Sequence, residues 1–107
     1  EFIFGGDTAW DGTHPLLEPG CRVIAAQAAS HGVAVRTVCA DFFMGHPLHR
    51  GSGADRRRRL ELLRRLIANV AVLGVTDVVI PCVDEASLQT PEDHARLAEA
   101  LAPLIAL

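Results

Sequence analysis

Apolar residues along the chain fall into two kinds of segment: short continuous runs, and longer stretches in which they recur every three or four positions. The short runs are rich in β-branched or aromatic residues and lie at Phe2–Phe4, Val33–Cys39 and Thr76–Val83. Runs of this length and composition predict buried strands. The longer stretches between and after them predict helices, so the pattern indicates alternating strands and helices.

Three stretches have helical periodicity. The clearest spans Ala54–Leu73, and its apolar face carries Leu60, Leu63, Ile67 and Val70. A second spans Glu18–His31 and ends at Gly32. A third begins at Thr90–Asp93, where carboxylates follow a capping threonine and face the positive end of the helix dipole. We expect Pro103 to kink or end this third helix.

The predicted order β-α-β-α-β-α implies right-handed crossovers and a parallel sheet, the signature of an α/β fold. The connections from helix to strand are short, and each contains a glycine, Gly32 or Gly74, suited to a left-handed cap. The connections from strand to helix are long and cover Gly5–Leu17, Ala40–Gly53 and Asp84–Gln89. In a parallel sheet these long connections all leave the carboxyl ends of the strands, where α/β proteins place binding and catalysis. We therefore expect any functional site at that edge.

Polar and aromatic side chains are concentrated in the three long connections. A mixture of carboxylates, imidazoles and aromatic rings suits a small hydroxylated ligand. The candidates are Asp7, Trp10, Asp11 and His14 in the first connection, Asp41, Phe42, His46, His49 and Arg50 in the second, and Asp84 and Glu85 in the third.

Several candidates also have a structural interpretation. His46 and His49 could bind a metal ion together, but Pro47 between them favours a turn in which they line a loop or pocket. Asp41 and Asp84 directly follow predicted strands, so they could serve as acid–base groups or ligands, or simply turn the chain. Both alternatives stay open for the two aspartates.

The remaining chemical features are ambiguous in the same way. Trp10 could stack on a sugar or cover apolar residues of its own connection. Cys39 and Cys82 lie near strand ends without a neighbouring base, which is typical of inert thiols. The run Arg56–Arg59 could hold a phosphate or form a solvated helix face, and Gly51–Gly53 before the same helix could cradle a phosphate.

Composition narrows the class of protein. The chain has 107 residues, which is one domain or part of one. Its ten basic residues are all arginine and thirteen are acidic, for a formal net charge of −3, which argues against nucleic acid as the main partner. An odd number of cysteines, three, argues for a reducing compartment. No targeting or membrane-spanning segment is apparent, so we expect a cytoplasmic protein with no membrane partner.

The run Val38–Leu48 reads V-C-A-D-F-F-M-G-H-P-L and is the most distinctive segment of the chain. Together with L-L-R-R-L-I at 62–67, L-G-V at 73–75 and V-I-P at 79–81, it resembles the sugar phosphate isomerase/epimerase family. These proteins are xylose-isomerase-like TIM barrels, (β/α)8, in a superfamily that includes endonuclease-IV-like proteins. The opening Glu1–Phe4 looks like the second strand of that family, so the resemblance covers nearly the whole chain.

The resemblance implies that the three predicted strands correspond to strands two to four of the barrel. Residues 1–107 would then be a single partial barrel segment, since a complete barrel has about 250 residues. It also implies a divalent metal, Mn²⁺, Mg²⁺ or Zn²⁺, whose ligands come from later strands, so neither a metal ligand nor a catalytic residue is expected in this chain. The positions that match the family's pocket wall are Cys39, Asp41, Phe42, His46 and Asp84, with Trp10 and His14 as loop contributors.

The function that follows from the resemblance is a metal-dependent sugar or sugar phosphate isomerase or epimerase of carbohydrate metabolism. Its metal would stabilise an enediolate while a carboxylate moves the adjacent proton. One alternative is an endonuclease-like phosphodiesterase of the same superfamily. Another is a small α/β ligand-binding module without catalysis, which would expose two sheet edges and is expected to assemble as a homo-oligomer.

Overall fold

A parallel sheet of three strands organises the part of the chain that the structure describes. The computed structural model describes residues 2–5, 14, 16–17 and 20–105. The strands lie in sequence order across the sheet and are β1 (Phe2–Ile3), β2 (Thr37–Cys39) and β3 (Asp77–Val79). Their register places Ile3, Cys39 and Val79 beside one another. Backbone hydrogen bonds continue one residue past the ends of β1 and β2. The N–H of Phe4 donates to the carbonyl of Cys39, and the N–H of Ala40 donates to the carbonyl of Val79.

In the described residues four helices accompany the strands: α1 (Gly20–Ser30), α2 (Phe42–Gly45), α3 (Gly53–Val70) and α4 (Pro91–Leu101). Single 3-10 turns extend α3 and α4 at Ala71–Leu73 and Ala102–Leu104, and a third turn lies at Asp84–Ala86. The described chain is therefore α/β with a parallel sheet, and the alternation of strands and helices predicted from the sequence is confirmed. None of these helices is long and apolar enough to cross a lipid bilayer.

The helices that follow the second and third long connections, α3 and α4, begin with side-chain caps. At α3 the Ser52 hydroxyl accepts a hydrogen bond from the backbone N–H of Asp55, and the Asp55 carboxylate accepts one from the backbone N–H of Ser52. At α4 Thr90 accepts from the N–H of Asp93, as the sequence predicts. Each cap satisfies a backbone donor that has no partner inside its helix, so these short polar residues fix where the chain leaves the sheet edge and turns into a helix.

All four helices pack on one face of the sheet. That face carries Phe4, Val38 and Ala40, and one continuous apolar core joins them to buried residues of the second connection and of α3, namely Phe42, Phe43, Leu48, Leu62, Leu63, Leu66 and Val70. Helices α1 and α4 complete the core through Ile24 and Leu97. Side chains of successive strand residues alternate between faces, so the residues between these core positions point to the other side.

The other face of the sheet is not covered by any described element. Its central row is Ile3, Cys39 and Val79, here called the open face. Ile3 is 57% exposed and Val79 is 46% exposed, although both lie in a sheet. An antiparallel sheet commonly turns one polar face to water, whereas parallel sheets are normally covered on both faces. An apolar open face therefore indicates a surface suited to further contacts.

The structure differs from the sequence prediction mainly in the length of the strands. Val33–Arg36 was expected in β2 but lies outside it, because the N–H of Val33 returns to the carbonyl of Ala28 and closes the end of α1. Gly32 and Gly74 adopt left-handed conformations with φ of 65° and 81°, which confirms them as helix caps. Helix α2 was not predicted, and the assignment to barrel strands two to four remains a proposal.

Candidate functional site

The carboxyl end of β2 brings a thiol and a carboxylate together on the side of the open face. The Cys39 Sγ lies 3.0 Å from the Asp41 Oδ1, with the thiol as donor. The end of β1 adjoins this pair, since a Cβ on Gly5 would lie 3.6 Å from the Cβ of Asp41. Among the described residues, the second carboxylate oxygen of Asp41 has no hydrogen-bond partner. Asp41 is half-buried and is thus placed to accept a hydrogen bond from a ligand hydroxyl.

Helix α2 anchors the start of the second connection to the core. The N–H of Phe42 donates to the carbonyl of Phe4 at 2.9 Å, which holds the helix against the end of β1. The rings of Phe42 and Phe43 meet edge to face with centroids 5.2 Å apart, and Phe43 is 1% exposed. Phe4 packs against both rings. The packed rings of Phe42 and Phe43, here called the aromatic floor, therefore hold this part of the second connection against the end of β1.

Phe42 also orients His46. The two rings stack with centroids 4.3 Å apart and planes 5° from parallel. The His46 Nδ1 lies 3.1 Å from the carbonyl of Phe42. A carbonyl can only accept, so Nδ1 carries the proton in this contact. Phe42, predicted to contact the ligand, is 5% exposed, and its ring holds His46 at the edge of the site.

Arg50 joins the second connection to the third. Its guanidinium donates to the backbone carbonyls of Glu85 and Ser87 and to the carboxylate of Asp93, with 3.0 Å between Nη2 and Oδ2. Asp93 also accepts a hydrogen bond from the N–H of Gln89. That backbone bond and then the bond from Arg50 hold the pKa of the Asp93 carboxyl below its usual range. The two loops that line the sheet edge are thus fastened as one unit.

The arginines at the start of α3 fasten the second connection from the other side. Arg59 donates to the carbonyls of Pro47 and Arg50, both at 2.9 Å, and Arg56 donates to the carbonyl of Gly51 at 2.7 Å. Gly51 has φ of 92°, and a Cβ there would lie 3.1 Å from the Arg59 Nη1. Cations in the first turn oppose the helix dipole at a cost of about 0.3–1 kcal/mol each. Arg56 lies at the end of the first turn of α3, and its contact with Gly51 offsets part of that cost.

Asp84 sits in the third connection in an uncommon backbone conformation. Its φ is 51°, the left-handed region, which aspartate tolerates better than most residues. The turn that it begins, Asp84–Ala86, lies against α2, so Asp84 and Asp41 belong to adjacent loops at the same edge. Its side chain is exposed, as a ligand contact requires.

His14 of the first connection packs against the end of β1. It is 7% exposed, and its ring meets the ring of Phe4 edge to face at 4.7 Å. Its Nδ1 accepts a hydrogen bond from the N–H of Leu16. Burial lowers the pKa of His14, and a hydrogen bond to the Ile3 backbone opposes that effect in part. The ring ties the first connection to β1 in its neutral form.

Stability is expected to fall in mild acid because of His14. A histidine whose folded pKa lies below its ordinary value of 6.5 binds its proton more readily in the unfolded chain. Its contribution is complete above that value and is lost as the pH falls through the folded pKa. Urea unfolding at several pH values below neutrality should show this slope. It should be shallower in His14→Gln, while the exposed-residue control His31→Gln should keep it; identical slopes in all three would contradict the assignment.

His49 and His46 differ in their burial. It is 1% exposed, and its Nε2 has no hydrogen-bond partner in the part of the chain that the structure describes. His46 is half-buried. Within residues 2–5, 14, 16–17 and 20–105, no three histidine, cysteine, aspartate or glutamate side chains cluster so as to hold a metal ion. The described residues therefore do not supply a ligand set for the expected metal.

The structure gathers four of the predicted site residues at the end of β2 (Cys39, Asp41, Phe42 and His46) and places Asp84 in the adjoining loop. Trp10, like Asp7 and Asp11, lies outside the described residues. Sequence reasoning did not find the roles of Arg50 and Asp93. The available signal was an arginine in one long connection and a carboxylate in the first turn of the next helix, but nothing in the sequence pairs them.

Comparison with protein-family models, curated proteins and solved structures finds no match to this chain in any of the three.

Proposed function

We propose that this chain forms part of the wall of a TIM barrel and contacts the substrate of a sugar or sugar phosphate isomerase or epimerase. The observation that carries the proposal is the Cys39–Asp41 pair, held at the carboxyl end of a parallel strand on the open face. The resemblance of Val38–Leu48 to that enzyme family supplies the reaction class. The role of this chain is to bind and orient substrate hydroxyls.

The arrangement of the sheet supports the barrel. Strands in sequence order with helices on one face only are what three successive barrel units would show. In a closed barrel the open face would turn inward and its row of Ile3, Cys39 and Val79 would pack against side chains from other strands. Asp41 would then stand at the rim of the barrel, where barrel enzymes hold their substrates.

The chemistry at the rim suits a polyhydroxylated ligand. Asp41 accepts hydrogen bonds, and the aromatic floor of Phe42 and Phe43 holds its loop in place. Preorganised acceptors of this kind favour binding because they lose little freedom when the ligand arrives. The divalent metal implied by the resemblance would take its ligands from outside the described residues, so no proton transfer is assigned to this chain.

The test uses the full-length protein that contains this chain. It is incubated in deuterated water with Mn²⁺ or Mg²⁺ and a panel of aldoses, ketoses and their phosphates, and solvent deuterium in the sugar is measured. We expect exchange into at least one sugar. We expect Asp41→Asn to lower kcat/KM for that sugar by roughly 10–100-fold, the size typical of a lost hydrogen bond to a charged group.

Asp77→Asn is the matched control, because Asp77 is an exposed aspartate at the opposite end of the sheet, in β3. It should leave kcat/KM unchanged. Absence of exchange into every sugar with either metal would overturn the proposed reaction. If kcat/KM falls equally in Asp41→Asn and Asp77→Asn, the proposed role of Asp41 is overturned but the proposed reaction is not. Nicking of abasic DNA by the same protein would favour the phosphodiesterase alternative instead.

A further inference from the structure

A groove between α3 and α4 is lined by more basic than acidic residues. Its volume is about 290 Å³, and the charged residues that line it are Arg56, Arg57, Arg96 and Glu99. Leu48 and Leu60 form its apolar wall. The groove lies on the helical side of the molecule, apart from the open face, so an inference about it stands independently of the proposed function.

The arginines of the groove differ in the hydrogen bonds and ion pairs that their guanidinium groups already make. Arg56 uses one nitrogen, Nη1, on the carbonyl of Gly51. Arg96 forms an ion pair with Glu92, one helical turn away, with 2.7 Å between Nη2 and Oε1. Arg57 makes no hydrogen bond or ion pair with any residue that the structure describes. At least one whole guanidinium and part of another therefore remain able to bind a ligand.

Neighbouring carboxylates neutralise only part of this charge. Asp55, the acidic residue nearest in sequence, is engaged in capping α3 through Ser52. Glu92 is taken up by Arg96. With Arg96 paired to Glu92, Arg56 and Arg57 stand against Glu99, the acidic residue that lines the groove. The surplus is positive, and guanidinium groups bind phosphate oxygens in two-point hydrogen bonds.

The size of the groove limits the ligand. A volume near 290 Å³ is at the lower end of the range for small-molecule sites, enough for a phosphate group with a few attached atoms. The apolar wall of Leu48 and Leu60 excludes water from one side, which strengthens charge–charge attraction. We propose that this groove binds the phosphate group of a small phosphate ester, with Arg57 as its main contact.

The test is isothermal titration calorimetry, in which inorganic phosphate is added to the 107-residue chain at low ionic strength. We expect saturable binding that Arg57→Gln weakens by roughly tenfold, as for loss of a charge-assisted hydrogen bond. Arg65→Gln is the matched control, because Arg65 is an exposed arginine of α3 that does not line the groove. It should change the dissociation constant by less than about twofold.

Glu99→Gln gives a second test with the opposite sign. Removing the carboxylate from the groove should strengthen phosphate binding severalfold, an effect that damage to the fold would not produce. Absence of saturable binding up to about 10 mM phosphate, a weak limit for a charged site, would overturn the proposal. Equal weakening by Arg57→Gln and Arg65→Gln would also overturn it, since that would mean diffuse attraction to the whole helix. Circular dichroism of each variant verifies that the helices are intact.

Discussion

Replacing Phe43 by alanine is expected to lower the free energy of unfolding by about 3–5 kcal/mol, the usual cost of emptying a fully buried aromatic position. Phe43 is 1% exposed and contacts the rings of Phe4 and Phe42. A domain of this size is stabilised by only about 5–15 kcal/mol in total. The substitution should therefore remove a large part of the stability, and guanidinium unfolding of the 107-residue chain measures it.

Two further variants separate this effect from a general response to mutation. Phe43→Leu keeps most of the apolar volume and should cost less than Phe43→Ala. Val72→Ala removes an apolar side chain that is 60% exposed and should change the free energy of unfolding by no more than about 0.5 kcal/mol. If Phe43→Ala unfolds at the same denaturant concentration as Val72→Ala, the aromatic floor does not stabilise the protein.

Replacing Arg50 by glutamine is expected to release the third connection. Glutamine is shorter than arginine and carries one amide in place of the guanidinium that joins Glu85, Ser87 and Asp93. The segment would then open without global unfolding, so amide hydrogen exchange around Gln89 should become at least roughly tenfold faster. The amides of α3 away from Arg50 should keep their rates.

The same variant should alter the response of Asp93 to pH. The carboxyl of Asp93 has a lowered pKa, so its stabilising contribution is present above its ordinary pKa and is lost as the pH falls through the folded value. Without Arg50 that pKa should rise towards its usual range, which a carboxyl NMR titration detects. Arg64→Gln removes an exposed ion pair with Glu61 and serves as the control. Unchanged exchange and unchanged pKa in Arg50→Gln would refute the fastening of the two loops.

Features of the fold that depend on residues close together in the sequence were predictable from it. The cap at Thr90 and the left-handed glycines at Gly32 and Gly74 follow from local backbone chemistry, and the structure contains all three. The length of β2 was overestimated because Val33 has the composition of a strand residue. Its N–H closes α1 by binding the carbonyl of Ala28, and its side chain is 59% exposed. Strand propensity alone could not show that Val33 would close the end of α1 and so lie outside β2.

The candidate site was predictable only in part, for a related reason. Cys39 and Asp41 are two residues apart, so the alternation of a strand puts them on the same side. Arg50 and Asp93 are 43 positions apart, and their contact exists only because two loops leave the same sheet edge. The burial of His14 under Phe4 is also a consequence of packing. Periodicity locates the edge of the sheet, but it does not specify which long side chains cross from one loop to the next.

The contacts of Arg50 have a consequence for how related sequences can vary. Two of its three partners are backbone carbonyls, at Glu85 and Ser87, and a carbonyl is present whatever the side chain. Evolution is therefore free to change the identity of both residues and with it the chemistry that the loop presents. Insertions or deletions between Val83 and Asp93 would move the carbonyls out of reach. We expect homologous chains that keep Arg50 and Asp93 to differ widely in composition across this loop while keeping its length constant.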